Sequence, residues 1–304
     1  PPQTRRASIG CPLRQGQACR VAIAGDTVVR GWIDWVVRHE DDGIYRLTVA
    51  GRDAAGDLVD SSAAHQPGEW RGLTLLDLVR QLARPWGISV RAAFDDSTAF
   101  GVFRVQLGET AWSAIERACR FRRALAMSDG KGGLVLVRAA TSRAEVSLVR
   151  GQNIVEVDSD DDNSDRYSDI IVYGQRPAAD GEDLASAFHG RGHATDKSVG
   201  RWRPLIILAE DQATQAQLQT RAEWEAAVRF GRSHKRTVKV EGWRQRPNGR
   251  LWQPNELVHL TWRHIDDEML ISGVEFRSPP EMTILTLYPP EAFRPAPPPA
   301  GDAA

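Results

Sequence analysis

Two runs of strand-period alternation stand near opposite ends of this 304-residue chain and read alike. The first holds Gln15-Gly16-Gln17-Ala18-Cys19-Arg20-Val21, then Thr27-Val28-Val29-Arg30-Gly31-Trp32-Ile33, then Tyr45-Arg46-Leu47-Thr48-Val49. The second holds Pro254-Asn255-Glu256-Leu257-Val258-His259-Leu260, then Met269-Leu270-Ile271-Ser272-Gly273-Val274-Glu275, then Met282-Thr283-Ile284-Leu285-Thr286-Leu287. Alternation with period two puts one set of side chains on each face of a strand. Turn residues between the runs (Gly25-Asp26, and His39-Glu40-Asp41-Asp42-Gly43) make the first an antiparallel meander over Ala18 to Val49. Gly16 matches Asn255 at an offset of 239, and Gly31 matches Gly273 at 242, so a weak internal duplication is expected. Any two antiparallel meanders share much of this pattern, so alternation alone leaves duplication and coincidence both open.

Between the meanders the period changes to that of helices. Thr74 is placed to cap a helix, with Asp77 three residues on, and Leu75, Leu76, Leu78, Val79 and Leu82 follow before Pro85 stops it. Short strands are expected at Ile88–Val90 and Val102–Val105. A second helix starts near Thr110 with Trp112, Ile115, Ala118 and Cys119 on one face. Strands at Ala124–Met127 and Leu134–Val137 flank Ser128-Asp129-Gly130-Lys131-Gly132-Gly133, a hairpin signal. The predicted order is αββαββ, two helices covering one small sheet.

Beyond Ile154 the chain returns to strands. An acidic loop is expected at Asp158–Asp165, a strand at Ile170–Tyr173, and a long Gly-rich surface loop over Pro177–Gly200. A helix follows over about Asp211–Phe230. Thr237–Val240 then turns through Pro247-Asn248-Gly249 back to Leu251 and Trp252. The proline-rich end, 291–304, cannot build a core and is expected to be disordered. The expected fold class is α+β: two β-barrel-like antiparallel tube domains with an αββαββ insert. The expected domains are 1–66, completed by about 140–155; 67–140; 141–290; and the tail.

Composition excludes several classes. Charged residues make up 26% but balance to a net charge of −1, with no basic excess of the kind that coats a duplex. No apolar run approaches the ~20 residues of a membrane helix, and the first ten residues show no export signal. Cys11, Cys19 and Cys119 form neither a CxxC pair nor a metal spacing, and read as reduced thiols. Ten scattered tryptophans suit cores and protein interfaces.

Candidate sites fall short on their own chemistry. Asp158, Asp160 and Asp162 occupy positions 1, 3 and 5 of a calcium-loop pattern, but Asn163 replaces the turn glycine and Asp169 the bidentate Glu. His189 and His193, with Asp196 beyond, would suit a metal on a helix, but Gly190 and Gly192 argue against one. Arg117, Arg120, Arg122 and Arg123 sit at a helix end, where cations complement the dipole. Nucleophile-elbow and phosphate-cradle motifs are absent. No catalytic, cofactor-binding or metal residue is assigned.

Several short stretches resemble the Mu-type phage baseplate hub family, related in architecture to late-control D proteins and the hub portion of VgrG spike proteins. They are Val49-Ala50-Gly51-Arg52-Asp53 with Asp57–Ala63, Leu78–Val90 with its Pro85-Trp86-Gly87-Ile88, and Gly108-Glu109-Thr110-Ala111-Trp112. Gly151-Gln152-Asn153-Ile154, Arg166-Tyr167-Ser168-Asp169 through Gly174-Gln175, Arg201-Trp202-Arg203-Pro204 and Trp252-Gln253-Pro254-Asn255 complete the set. Each is weak alone; their order and spacing carry the match. The family pattern has another strand or two before the Gly16 turn, so either the chain is trimmed there or its first β domain is incomplete. The resemblance implies a homotrimeric ring with pseudo-sixfold symmetry, partnered by the central spike, the tail tube and other baseplate proteins. DNA enters only as passing cargo. The implied location is the virion tail baseplate, assembled in the host cytoplasm, with no stable membrane insertion, no cofactor and no enzymatic role. A cell-wall-acting tail enzyme and a glycan-binding tail module remain the competing readings.

Overall fold

In the computed structural model, residues 13–42, 44–175, 188–209 and 214–293 are described. The chain divides into two compact units, residues 1–116 with 126–136, and residues 117–125 with 137–304.

The first unit opens with β1 (Ala18–Ile23), β2 (Asp26–Asp41) and β3 (Ile44–Asp53), a three-stranded antiparallel meander in sequence order. Ala24 and Gly25 turn β1 into β2 with φ of 46° and 91°, the positive-φ pair that a two-residue hairpin of this twist requires. α1 (Gly56–Asp60), β4 (Glu69–Arg71) and α2 (Leu75–Ala83) follow. α2 starts where Thr74 Oγ1 accepts the Asp77 N–H at 3.2 Å. It buries Leu75, Leu78, Val79 and Leu82, the i, i+3, i+4, i+7 stripe of a one-sided helix, and packs on the strand that follows. Pro85 ends it in a short 3₁₀ turn closed by Gly87 at φ 66°.

The rest of this segment is β5 (Val90–Ala92), β6 (Val102–Arg104), α3 (Ala111–Phe121), β7 (Leu125–Ser128) and β8 (Leu134–Val137). The αββαββ order is present with β4 added in front. The strands divide between two sheets rather than one: β4 pairs β6, and β5-β8-β7 forms the other, with β5 parallel to β8. Hairpin chemistry holds the β7–β8 turn, where Asp129 Oδ1 accepts the N–H groups of Lys131 and Gly133 at 2.8 and 2.9 Å.

The second unit holds β9 (Ser142–Arg143), β10 (Leu148–Val149), β11 (Ile154–Asp161), β12 (Asp169–Gln175), β13 (Phe188–Thr195), β14 (Pro204–Leu208) and α4 (Gln215–Arg232). β15 (His234–Glu241), β16 (Glu256–Trp262), β17 (Ile265–Arg277) and β18 (Met282–Tyr288) complete it. Its main sheet runs β10-β16-β17-β18-β15-β11, with β9 also on β16. Val238, Val258, Leu260, Ile271, Leu285 and Leu287 pack one face into a core in which Trp252 is 3% exposed.

Several expectations are corrected. No sheet closes into a barrel among the described residues; both meanders lie in open sheets. The stretch 140–155, expected to complete the first β domain, instead gives β9 and β10 to β16 as parallel partners. The acidic loop begins four residues later than expected, because 158–161 continues β11. Its carboxylates face the basic run His234-Lys235-Arg236 across the ladder, and Asp161 pairs with Arg236 at 2.7 Å. Residues 188–195 of the expected Gly-rich loop are strand β13, and 176–187 lie outside the described residues. Gly192 is there for packing: a Cβ on it would stand 2.0 Å from the Leu218 carbonyl oxygen of α4. α4 begins after Thr214, which closes a capping box with Gln217; 211–213 lie outside the described residues. Trp252 returns without a strand, through a single bridge between Arg244 and Leu251. Of the expected disordered tail, 291–293 is a 3₁₀ turn whose Ala292 is 2% exposed, and 294–304 lie outside the described residues.

The two meanders share their turns and one bulge, while β1–β2 carries a further bulge at Val28 that β16–β17 lacks. Gly16 (φ 77°) and Asn255 (φ 67°) precede the first strands, and their N–H groups donate to Ile33 O and Ile271 O, each at 2.8 Å. Ala24 and Arg263 hold the first turn with φ of 46° and 53°. A bulge falls between Ile33 and Trp35 in one and between Ile271 and Gly273 in the other, an offset of 238. The equivalence of Gly31 with Gly273 is therefore wrong: Gly273 occupies the place of Trp35. Matching glycine to glycine skipped the bulge.

Candidate assembly surfaces

Cross-strand partners share a face of a sheet. On one face of β1–β3, Ile23, Ile33 and Val36 are buried, yet Val21 and Val49 on that same face are 51% and 39% exposed. The opposite face carries Trp32 and Trp35, both exposed, beside Arg52 and Ala50. Past the bulge, β2 and β3 run on as a two-stranded arm. At its tip Glu40, Asp41, Asp42, Ile44 and Tyr45 are all exposed.

Arg52 clamps the root of this arm. Its guanidinium donates to Asp34 Oδ2 at 2.8 Å and to both Asp60 oxygens at 3.0 and 2.6 Å. Those bonds raise Arg52 above its ordinary value and hold the Asp60 carboxyl below the usual range. Arg52 also lines a wide cleft of about 460 Å³ with Asp53, Val59 and Trp112. Its charge is already matched there by Asp34 and Asp60.

A second surface lies on the sheet β13-β12-β14. Ile170, Val172 and Ile207 face α4, where Val172, Leu218 and Ala222 form a small core. The outward rows are His193–Ile171–Ile206 and Arg191–Tyr173–Leu208. Ile206 is 61% exposed, and Trp202, just before β14, is 84% exposed. The sheet's two edges differ. Along β13, Gln215 and Gln219 each donate to and accept from the backbone, of Arg191 and His193 respectively, at 2.7–3.0 Å. Along β14 no strand among the described residues lies beyond.

This second surface is anchored by Arg166, which is 5% exposed and bonded to Asp196, Asn163 and Ser198. Burial pushes the Asp196 carboxyl up, and hydrogen bonds from Ser198 and Arg166 outweigh it, leaving it below its ordinary value. Arg203 lies over the Tyr167 ring at 4.9 Å and donates to Asn163 O and Ser164 O. Sequence spacing missed this network because its members come from three separate segments.

The weighed sites come apart in space. Asp158 and Asp160 lie on edge strand β11, Asp162 accepts from Ser164, and Asp169 sits 3.0 Å from His193 Nε2. His189 and His193 lie on β13, and Asp196 is bound to Arg166. Among the described residues no group of three or more His, Cys, Asp or Glu is arranged to hold a metal. Arg120 lies in the last turn of α3, and the Arg122 and Arg123 carbonyls beyond it accept from Arg138. Cys119 is buried and Cys19 half-exposed, and neither forms a disulfide among the described residues; Cys11 lies outside them. No described helix is long and apolar enough to cross a membrane.

Comparison with known proteins gives this architecture its context. Residues 55–138 match the second domain of gp44-like baseplate hub proteins. Residues 214–296 match the fourth domain of the Mu phage baseplate assembly protein GpP, and 166–224 the third domain of NMB1110-like tail proteins. The 43 kDa tail protein of prophage MuSo2 from Shewanella oneidensis superposes with a TM-score of 0.83 at 30% identity, covering 96% of this chain and 86% of that one. A tail protein from Neisseria meningitidis gives 0.78 at 28% identity, covering 93% and 87%. The baseplate hub protein gp44 of Escherichia phage Mu is 36% identical over 255 residues, 82% of this chain and 67% of the relative. With that identity carried across most of the chain, this protein belongs to the baseplate hub family of Mu-like phages.

Proposed function

We propose that the chain is the structural hub of a contractile-tail baseplate, a homotrimer that joins the tail tube to the central spike and has no catalytic role. The observation that carries this reading is the pair of similar meanders, alike in turns, in strand order and in the bulge between second and third strands. Two similar β units per chain, taken three times, give six similar units around an axis, the arrangement that continues a tube of sixfold rings. Open sheet edges and exposed tryptophans on β1–β3 are surfaces that proteins normally cover, and closed cyclic assembly covers them. The segment 67–140, with its helices over its own small sheets, would sit outside the ring. In this reading assembly takes place in the host cytoplasm, and DNA passes through the channel as cargo.

Light scattering of the purified chain is expected to report about three times 33.7 kDa. A stable monomer that cleaves peptidoglycan, or binds glycans as a monomer, would replace this reading with a tail enzyme or a receptor-binding module.

A further inference from the structure

We infer that the β2–β3 arm of one copy docks on the outward face and open edge of β14 in the next copy. The inference rests on the homo-oligomer reading and adds the surfaces that make it.

Four observations point the same way. Among the described residues the sheet β13-β12-β14 is finished on one side only, since α4 covers its inner face and Gln215 and Gln219 satisfy its β13 edge. What remains uncovered is apolar: Trp202, Ile206 and Leu208 are 84%, 61% and 47% exposed. The arm is the counterpart, a hairpin with exposed Ile44 and Tyr45 at its tip and an outer strand, β3, that pairs only with β2 among the described residues. The charges are complementary. Glu40, Asp41 and Asp42 crown the arm, with Arg38 and Arg46 on the rungs below, while Lys197 and Arg201 are exposed on the connection from β13 to β14 and Arg191 flanks Tyr173. Asp169 on the same face is already matched by His193.

An arm meeting a face of another kind is a heterologous contact. Contacts of that type close into a ring when the rotation between copies closes, whereas a self-complementary patch would stop at pairs. The expected centre is Trp202 against the apolar arm tip, with the ionic contacts around it, the usual anatomy of an anchor inside a polar rim.

The test is a charge exchange in the full chain, read by mass in solution. Asp41→Lys with Asp42→Lys is expected to weaken association at least tenfold, as is Lys197→Glu with Arg201→Glu. All four together are expected to restore it. Trp202→Ala is expected to weaken association without changing the melting temperature of the separated chain, because Trp202 lies in solvent there. If the wild-type chain is itself monomeric, the oligomer reading fails and this contact with it. If the wild type assembles and neither charge pair nor Trp202→Ala alters its mass, the contact alone is overturned. A Trp202→Ala chain that self-associates normally but no longer enters tails would assign the β14 face to a different tail protein, which also overturns it.

Discussion

Val21 and Leu260 hold equivalent places in the first strands of the two meanders, and Val49 and Leu285 in the third strands. Leu260 and Leu285 are fully buried, whereas Val21 and Val49 are 51% and 39% exposed. The backbones are alike, so the difference comes from what surrounds them. The second meander has β15 antiparallel on β18, β9 and β10 on β16, and Trp252 packed into its face. The first has no further strand on either edge among the described residues. Three strands are the least that can stand alone, and then only with an apolar face that is packed, so the half-covered meander gains from strands supplied elsewhere. One half of the chain draws its cover from earlier segments of its own sequence; in the proposed ring, the other half takes it from a neighbour.

The strongest way to break this comparison is to remove a core side chain from the covered meander. Ile271→Ala deletes a fully buried side chain at the bulge and is expected to cost about 2–5 kcal/mol, read as a fall in thermal stability. A loss below about 1 kcal/mol would mean that the second meander is not held by its core.

A smaller effect is expected from Glu256, which is buried where its counterpart Gln17 is exposed. Burial pushes the Glu256 carboxyl above its ordinary 4.5, against the opposing pull of Arg250 and the hydrogen bond from Gln245. A folded value above the unfolded one means that ionisation destabilises the fold. The contribution is therefore most favourable below about 4.5 and declines as pH rises through the raised value. Relative to wild type, Glu256→Gln should lose that decline, so the melting-temperature difference between the two should change across this window. A constant difference would refute the assignment.

The smallest effect sharpens the contrast. Val49→Ser on the open meander is expected to move the stability of the separated chain by no more than about 0.5 kcal/mol, as at ordinary surface positions. It should nevertheless weaken self-association. A large loss of stability in the monomer would show that Val49 is covered within its own chain.

Much of the architecture was legible because local chemistry specified it. Thr74 and Asp77 marked the start of α2, Pro85 its end, and alternation marked both meanders. What stayed hidden depends on partners distant in sequence. Gly190 and Gly192 read as loop formers, and only the approach of α4 explains glycines inside a strand. Asp158 to Asp161 read as a solvated loop because their basic counterparts lie some 75 residues on, at His234 to Arg236. The two assembly surfaces were not legible either. Trp202 and Trp35 look in sequence like any core tryptophan, and only burial separates them from Trp252.

The paired bulges have a consequence for geometry. An extra residue in one strand of a ladder bends that strand and increases its coiling, and β2 and β17 receive that residue at the same point of their meanders. Both halves of the chain thus carry a bend in the same place. Curvature determines how many units complete a circle, so in the proposed ring a bend shared by both halves helps them alternate around one bore. In the proposed ring, losing that residue from one half alone, Asp34 or Ser272, would remove a bend that the two halves have in common.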